Sequence, residues 1–292
     1  MGDAIDVFDP AAVRRHRARA APNLGSHDFL VREIAERLAG RLDDVRRDFA
    51  VALDLGHHAA LADGRGGIGR VLRCATLPGH GPVAADEELL PFADASFDLA
   101  VSLLSLHWVN DLPGALAQLR RALRPDGLLL AAMFGGDTLH ELRASWAAAE
   151  IAEEGGASPR VAPFVDLRDA GALLQRAGFA LPVVDVDAIT VTYPDALALM
   201  RDLRGMGEAN AVHARPRSFT RRATMMAAAA AYERRFAGAD GRVPATFEVI
   251  YLTGWAPHEA QQKPLRPGSA RARLADALGA REIPAGDKAR PE

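Results

Sequence analysis

The sequence predicts a doubly wound, mostly parallel α/β sheet, and three observations lead to this prediction. Short apolar runs of strand length alternate with segments of helical periodicity from residue 26 to about residue 255. Several of these runs end in an acid or a glycine, as buried strands do where they enter a turn. The chain has 292 residues, of which 49% are hydrophobic and 25% are charged, so it can bury a substantial core.

The first half of the chain is expected to supply a helix and four strands. Leu30, Ile34 and Leu38 recur at four-residue spacing, which predicts an amphipathic helix over residues 26–42. The strands are expected at residues 49–56, 68–74, 83–85 and 97–104. Strands that alternate with helices favour a sheet with parallel neighbours.

The second half is expected to complete the sheet and to add helices. The helices are expected at residues 113–123, 137–152, 167–177 (closed by Gly178), 196–206 and 220–236. The strands are expected at 128–134 (after a turn at 125–127), 183–191 and 246–253. These elements divide the chain into three expected regions. They are an N-terminal basic arm (1–25), a folded domain (26–255, with a helical insertion at about 194–240) and a disordered tail (256–292).

Composition and charge exclude several classes of protein. The net charge of −3 predicts no strong attraction to nucleic acid and at most a peripheral association with membranes. Cys74 is the only cysteine, which excludes an internal disulfide and a Cys-rich metal site. The Arg14–Arg19 cluster is expected to be a solvated face, with contact to an acidic partner as the alternative. Asp3, Asp6 and Asp9 precede it, which disfavours a transit peptide and favours a bacterial cytoplasmic protein.

The candidate site residues follow the strands, because an open parallel sheet binds ligands at the carboxyl ends of its strands. Asp54 and Gly56 follow the first strand, Asp86 and Glu87 the third, and Leu104 the fourth. Asp54 could hold a turn or a cationic amino group, and Gly56 would let backbone approach a ligand closely. Asp86 could accept a hydrogen bond from an exocyclic amine such as that of adenine. Each fragment is also compatible with an ordinary strand-to-turn junction.

Three further segments are open to two interpretations. His107 could act as a base near neutral pH, or it could pack beside Trp108, which is expected to form a pocket wall. His57 and His58 suggest a metal site, but adjacent side chains point apart and no carboxylate lies four residues after either of them, so no metal is expected. Arg204–Glu208 is read as a helix terminus, with a lid or partner surface as the alternative.

Motifs in a fixed order along the chain carry a family resemblance. The motifs ALDLG (52–56), ADEELLPF (85–92) and SFDL (96–99) resemble the signature of class I S-adenosylmethionine-dependent methyltransferases. Longer motifs are similar to the methyltransferase-like assembly factors of respiratory complex I. These are SLHWVNDLP (105–113), RPDG (124–127), AMFGGDTL (132–139), LRGMGEAN (203–210) and VPAT (243–246).

The resemblance implies a seven-stranded sheet, S-adenosylmethionine as the cofactor and a protein substrate such as a complex I subunit. The residues implied to contact the cofactor are Asp54, Gly56, Asp86, Glu87 and Leu104. His107, as the catalytic residue, and Trp108 would face the substrate, and the reaction would be methyl transfer or arginine hydroxylation. The alternatives are a non-catalytic assembly chaperone that kept the fold, and a malonyl-carrier-protein methyltransferase of biotin synthesis.

The chain departs from the methyltransferase pattern at the cofactor end. The glycine-rich turn Asp-x-Gly-x-Gly-x-Gly reads DLGHHAA over residues 54–60 and keeps only Gly56. Ala75 stands where the second strand normally ends in an acid that holds the ribose. The stretch from Asp54 to Asp86 is shorter than in the family and lacks the helix that should follow the second strand. These departures favour the chaperone alternative.

Overall fold

The protein is described by a computed structural model that covers residues 6–61, 67–262 and 279. The chain divides into two units, Met1–His258 and Glu259–Glu292. Most of the second unit lies outside the described residues. The expected disordered tail, 256–292, therefore lies outside them apart from residues 256–262 and 279.

A seven-stranded sheet forms the centre of the first unit. Its strands are β1 (Phe49–Leu55), β2 (Ile68–Ala75), β3 (Val83–Ala84), β4 (Phe97–Leu103), β5 (Leu123–Phe134), β6 (Ala180–Tyr193) and β7 (Val243–Trp255). The order across the sheet is β3-β2-β1-β4-β5-β7-β6. The first five strands in this order pair in parallel, and β7 runs antiparallel to both β5 and β6. The predicted doubly wound, mostly parallel α/β fold is confirmed.

Helices cover both faces of the sheet. They are α1 (Pro10–Ala20), α2 (Phe29–Asp43), α3 (Leu112–Ala122), α4 (His140–Glu154), α5 (Leu167–Arg176), α6 (Ala196–Met206) and α7 (Arg222–Phe236). Successive residues of β5 alternate between two separate apolar cores, with Leu128 and Leu130 on one side and Leu129 on the other. This alternation explains why the strand is apolar along its length. In the part of the chain that the structure describes, no helix is long and apolar enough to cross a bilayer.

Two element boundaries differ from the expectation. Helix α2 begins at Phe29 rather than at residue 26, because residues Ala21–Ser26 form a turn of 3₁₀ helix. The expected turn at 125–127 lies inside β5, where Asp126 adopts a φ of +63° and the pairing register shifts between Phe97 and Leu99. Aspartate tolerates a left-handed backbone, so the strand bulges at this position and continues.

The N-terminal segment contains a helix that is fixed to the rest of the fold. Asp9 caps α1 by accepting a hydrogen bond from the Ala12 amide at 3.0 Å, and Arg215 Nη2 donates to its other carboxylate oxygen at 2.9 Å. The hydrogen bond from the Arg215 guanidinium is the main cause that lowers the pKa of Asp9 to about 2. Arg14 is exposed on this helix, but Arg17 is only 1% exposed. The interpretation of the basic cluster as a solvated face is therefore wrong at Arg17.

Candidate active site

The carboxyl ends of β1 and β4 meet at Gly56 and Ser105. Gly56 has a φ of +129°, and a Cβ atom built there would lie 2.8 Å from Ser105 Cβ. Only glycine fits this close approach without strain. Leu104, which precedes Ser105, is fully buried with a φ of +48°. The contact with Ser105 explains the retained glycine without any ligand.

Asp54 is engaged by the loop that replaces the glycine-rich turn. Its buried carboxylate accepts hydrogen bonds from the amides of Ala60, at 3.2 and 3.3 Å, and Leu61, at 3.3 Å. Arg73 Nε lies 3.8 Å from Oδ2. Burial raises the pKa of Asp54 despite these hydrogen bonds. In this arrangement the residue holds the loop over residues 56–61.

A buried ion pair joins α1 to the ends of β2, β3 and β4. Arg17 Nη1 donates to Glu87 Oε1 and to Thr76 Oγ1 at 3.2 Å, and its Nη2 donates to Ser105 Oγ at 3.2 Å. Thr76 and Ser105 in turn donate to the Glu87 carboxylate. Burial would raise the pKa of Glu87, but the Arg17 guanidinium and the Ser105 hydroxyl outweigh it and hold the pKa below its usual range. We call these four residues the Arg17 network.

A second buried carboxylate lies where α6 ends. Gly207 closes this helix with a φ of +85°, which agrees with the helix-terminus interpretation of Arg204–Glu208. Glu208 Oε2 accepts hydrogen bonds from His107 Nε2 at 2.9 Å and from Trp108 Nε1 at 2.8 Å. His58 Nε2 lies 3.9 Å from Oε1. The candidate residues His107 and Trp108 thus meet at a carboxylate that the sequence interpretation did not single out.

His107 lies inside an aromatic cluster. Its ring centroid is 4.9 Å from that of Phe134, 5.2 Å from that of Phe164 and 5.3 Å from that of Trp108. Burial lowers the pKa of His107 despite the neighbouring Glu208, so a neutral imidazole donates its Nε2–H to that carboxylate. This geometry favours packing and the orientation of Glu208. A catalytic role for His107 stays a prediction.

His57 and His58 are buried in the loop after β1. The centroid of the His57 ring is 5.0 Å from that of His58 and 5.1 Å from that of His80. Burial, together with nearby His58 and Arg17, lowers the pKa of His57 to about 3. Among the described residues, no three His, Cys, Asp or Glu side chains are grouped so that they could hold a metal ion.

Asp86 lines a small cavity that α1 covers. The cavity has a volume of about 20 Å³ and is also bordered by Glu87, Ser105 and, from α1, Val13 and Arg17. Arg14 Nη1 lies 3.6 Å from Asp86 Oδ2 at its rim. Asp54 does not border this cavity. The structure therefore places Asp86 and Glu87 together but gives Asp54 a separate environment.

These residues do not fit S-adenosylmethionine in the arrangement shown. Pockets for ligands of that size have volumes of about 300–1,000 Å³, and the cavity beside Asp86 holds about 20 Å³. Buried Ala75 offers no carboxylate for ribose hydroxyls. The guanidinium of Arg17 fills the space beside Glu87, and the buried imidazoles of His57 and His58 follow Gly56.

A larger cavity lies beyond Trp108, between the segments that follow β4 and β5 and helices α4 and α6. Its volume is about 180 Å³. Aromatic and aliphatic side chains form most of its wall, and its charged residues are the buried Glu208, the half-buried Arg160 and the exposed Arg204. Trp108 is therefore a wall of this cavity, as expected from the sequence.

Comparisons with known proteins agree with the fold and with the motifs. Residues 51–131 match the family model described as methyltransferase domain. The mitochondrial arginine-hydroxylase NDUFAF5 of Danio rerio is 43% identical over 93% of this chain and 89% of that protein. The malonyl-acyl-carrier-protein O-methyltransferase of Halorhodospira halophila is 38% identical over 87% of this chain and 90% of its own length. The fold also resembles that of YcgJ from Bacillus subtilis, with a TM-score of 0.51 and 15% identity over 76% of this chain and 98% of that one.

The comparisons correct one expectation and confirm another. The relative from Danio rerio is named as mitochondrial, which overturns the expectation of a bacterial cytoplasmic protein drawn from the acidic residues near the N-terminus. The resemblance to the complex I assembly factors is confirmed, because identity at this level extends over nearly the whole chain. The chain belongs to the arginine-hydroxylase NDUFAF5 family, which carries the methyltransferase domain, and the malonyl-carrier-protein methyltransferases are its more distant relatives.

Proposed function

We propose that this protein hydroxylates an arginine side chain of a protein substrate during the assembly of respiratory complex I. In this reaction molecular oxygen supplies the added oxygen atom, and an external two-electron reductant with two protons converts the second oxygen atom to water. The observation that carries the proposal is the 43% identity to an arginine hydroxylase over 93% of the chain. The cavity of about 180 Å³ beside Trp108 supports it, since a space of this size suits one inserted side chain. Hydroxylation is preferred over methyl transfer because the identity to the arginine hydroxylase, 43%, is higher than that to the O-methyltransferase, 38%.

The residues with proposed roles lie on either side of Trp108. Trp108 and Glu208 face the substrate cavity, and His107 orients Glu208. The residues that we propose as cofactor contacts are those implied by the family resemblance, namely Asp54, Gly56, Asp86, Glu87 and Leu104. S-adenosylmethionine is the cofactor that this fold family implies, and we propose that it enters only when α1 leaves the sheet edge, because Arg17 and Val13 border the remaining space.

The cofactor proposal predicts that S-adenosylmethionine binds the protein weakly and at the expense of α1. In calorimetric titrations, Arg17→Gln should bind S-adenosylmethionine at least tenfold more tightly than the wild type, because the guanidinium no longer holds α1 to Glu87. Arg19→Gln, at an exposed position of the same helix, is the matched control and should bind like the wild type. Saturating cofactor should also speed hydrogen exchange of the α1 amides. Tight binding by the wild type, with the exchange of α1 unchanged, would contradict the proposal.

The arginine-hydroxylase proposal is tested by deleting the gene and analysing complex I subunits by mass spectrometry. We expect one arginine that carries an added oxygen atom in the wild type, and no such modification in the deletion strain. A plasmid copy of the gene should restore the modification. If the arginines of all subunits are identical in the two strains, hydroxylation is rejected.

A non-catalytic assembly factor is the second candidate function, and the closed cofactor end favours it. In the same deletion experiment this candidate predicts loss of assembled complex I without any change in arginine modification. Asp86→Ala should then leave assembly intact, because the carboxylate would serve no bound cofactor. A malonyl-carrier-protein methyltransferase would instead rescue a biotin auxotroph, although the identity to those enzymes is lower, at 38%.

A further inference from the structure

Glu208 borders the cavity beyond Trp108, and one of its two carboxylate oxygens lacks a hydrogen bond. Both donors to Glu208, His107 Nε2 and Trp108 Nε1, bind Oε2. Oε1 receives no hydrogen bond from the residues that the structure describes, although the side chain is only 3% exposed. A buried acceptor with free lone pairs costs free energy until a donor reaches it. Glu208 therefore has unused capacity to accept a hydrogen bond.

The charge of Glu208 also lacks a matching cation at hydrogen-bond distance among the described residues. Burial raises the pKa of Glu208, but its interactions with His107 and His58 outweigh this effect and hold the pKa far below its usual range. The two N–H groups that donate to Oε2 stabilise the ionised form of this carboxylate. Its two hydrogen-bond donors are an indole and an imidazole whose own pKa is lowered by burial. A buried negative charge among such donors favours a cationic ligand.

The shape of the cavity restricts the size and form of that ligand. Its volume of about 180 Å³ is roughly six times the share of one liquid water molecule, which is about 30 Å³. Trp108, Trp146 and Phe164 contribute flat aromatic faces to the wall, and the rings of Trp108 and Phe164 meet edge to face at 5.7 Å. Aromatic faces attract cations and stack well on planar guanidinium groups. A long side chain with a planar cationic end suits this space.

Two arginines line the cavity, Arg160 and Arg204, and Arg204 is exposed to solvent. Arg160 Cζ lies 4.9 Å from the centre of the Trp146 ring, its Nε is 2.5 Å from Glu150 Oε1, and its Nη1 donates to Thr220 Oγ1 at 2.8 Å. Glu150 offsets its charge, which limits its repulsion of a second cation. The wall therefore already contains one contact between a guanidinium and an aromatic ring, at Trp146.

We propose that this cavity receives the arginine side chain of the protein substrate and that the carboxylate of Glu208, which borders the cavity, compensates the charge of its guanidinium. The inference rests on the proposed function and adds to it the residue that selects arginine. Citrulline has nearly the same shape without the charge, so it would leave the buried carboxylate uncompensated. Glu208 is thus the specificity-determining residue of the substrate pocket.

The test uses the indole N–H signals of the full-length ¹⁵N-labelled protein, which has three tryptophans. Trp108 donates its indole hydrogen to Glu208, and Trp146 lines the same cavity, whereas Trp255 is not part of its wall. Titration with Nα-acetyl-arginine N-methylamide should shift the signals of Trp108 and Trp146 and leave that of Trp255 unchanged. The citrulline analogue should cause no shift at the same concentrations. Equal binding of the citrulline or lysine analogue would overturn the assignment.

Two variants separate recognition by Glu208 from general damage to the fold. Glu208→Gln keeps the shape but removes the charge, and it should weaken arginine binding at least tenfold. Glu154→Gln, on α4 and outside the cavity wall, is the matched control and should bind like the wild type. If Glu208→Gln does not fold, Ala209→Leu is the second test of the pocket. This change narrows the cavity without altering a residue that hydrogen-bonds Glu208, so it should also weaken arginine binding. Wild-type affinity in the folded Glu208→Gln variant, or in Ala209→Leu, would reject the pocket.

Failure of this inference can be told apart from failure of the proposed function. Arginine binding that depends on Glu208, without any hydroxylated arginine in complex I, would support the pocket and reject the hydroxylase activity. Hydroxylation that persists when Glu208→Gln replaces the wild-type gene would support the activity and reject the role of Glu208.

Discussion

Arg17→Ala is expected to lower the free energy of unfolding by about 3–5 kcal/mol, which is typical of removing one partner of a buried ion pair. Glu87, at 5% exposure, would keep its charge without the guanidinium that compensates it. Thr76 and Ser105 would still donate to the carboxylate, but neutral hydroxyls do not offset the cost of burying a charge. Urea denaturation followed by circular dichroism at pH 7 measures the change.

Two comparisons show whether the charge of Arg17 causes this loss. Arg14→Ala removes an arginine of the same helix whose pair with Asp86 is 44% and 37% exposed, so it should cost at most about 1 kcal/mol. Adding Glu87→Gln to Arg17→Met should recover much of the loss, because no unpaired charge is then buried. Equal losses for Arg14→Ala and Arg17→Ala would mean that the buried pair contributes no more than a surface pair.

The sheet and several helix ends could be predicted because their signals are local. The apolar runs of β4 and β5 are buried on both faces, and this burial is what makes them recognisable in the sequence. Asp111 caps α3 by accepting a hydrogen bond from the Gly114 amide at 2.9 Å, and aspartate is a preferred residue at this position. Gly178 follows α5 with a φ of +83°, the conformation that favours glycine after a helix.

The polar groups of the candidate site could not be predicted because their partners are distant in sequence. Arg17 and Glu87 are separated by 70 positions, and Trp108 and Glu208 by 100. In its local sequence Arg17 resembles the exposed arginines around it, and only the tertiary fold distinguishes it from them. The lost glycines after Asp54 were visible in the sequence, but the buried imidazoles and the Arg17 network that accompany this loss were not.

The same exchange of a glycine-rich turn for buried imidazoles makes stability depend on pH. The pKa of His57 is lowered from 6.5 to about 3, first by burial and then by His58, Arg17 and His80, while Glu208 acts in the opposite direction. Both ring nitrogens lack a hydrogen-bond partner among the described residues. Burial also lowers the pKa values of His16 and His107. All three imidazoles are thus held neutral in the folded state.

The protein is therefore expected to lose stability as the pH falls below about 6.5, where the unfolded chain binds protons that the folded chain excludes. Above this pH His57 is neutral in both states and has no effect. Each unit below it costs about 1.4 kcal/mol for His57 alone, so the loss reaches about 3 kcal/mol by pH 4.5. Carboxylates with lowered pKa values, such as that of Glu87, lose their contribution only below about pH 4.5. The raised pKa values of Asp54 and Glu248 act against the histidines in the range from 6.5 to 4.5, so the His57 variant is needed to assign the slope.

Urea denaturation at half-unit steps between pH 7.5 and 4.5 measures this slope and assigns it to His57. His57→Gln should reduce the slope by about one proton, or about 1.4 kcal/mol per pH unit, since glutamine does not titrate. His213→Gln, at an exposed position, controls for the loss of an imidazole elsewhere in the fold. If the free energy of unfolding of His57→Gln varies with pH as that of the wild type does, His57 has the same pKa in the folded and unfolded states. The loop after β1 then admits water, and the closed cofactor end that disfavours S-adenosylmethionine is not closed in solution.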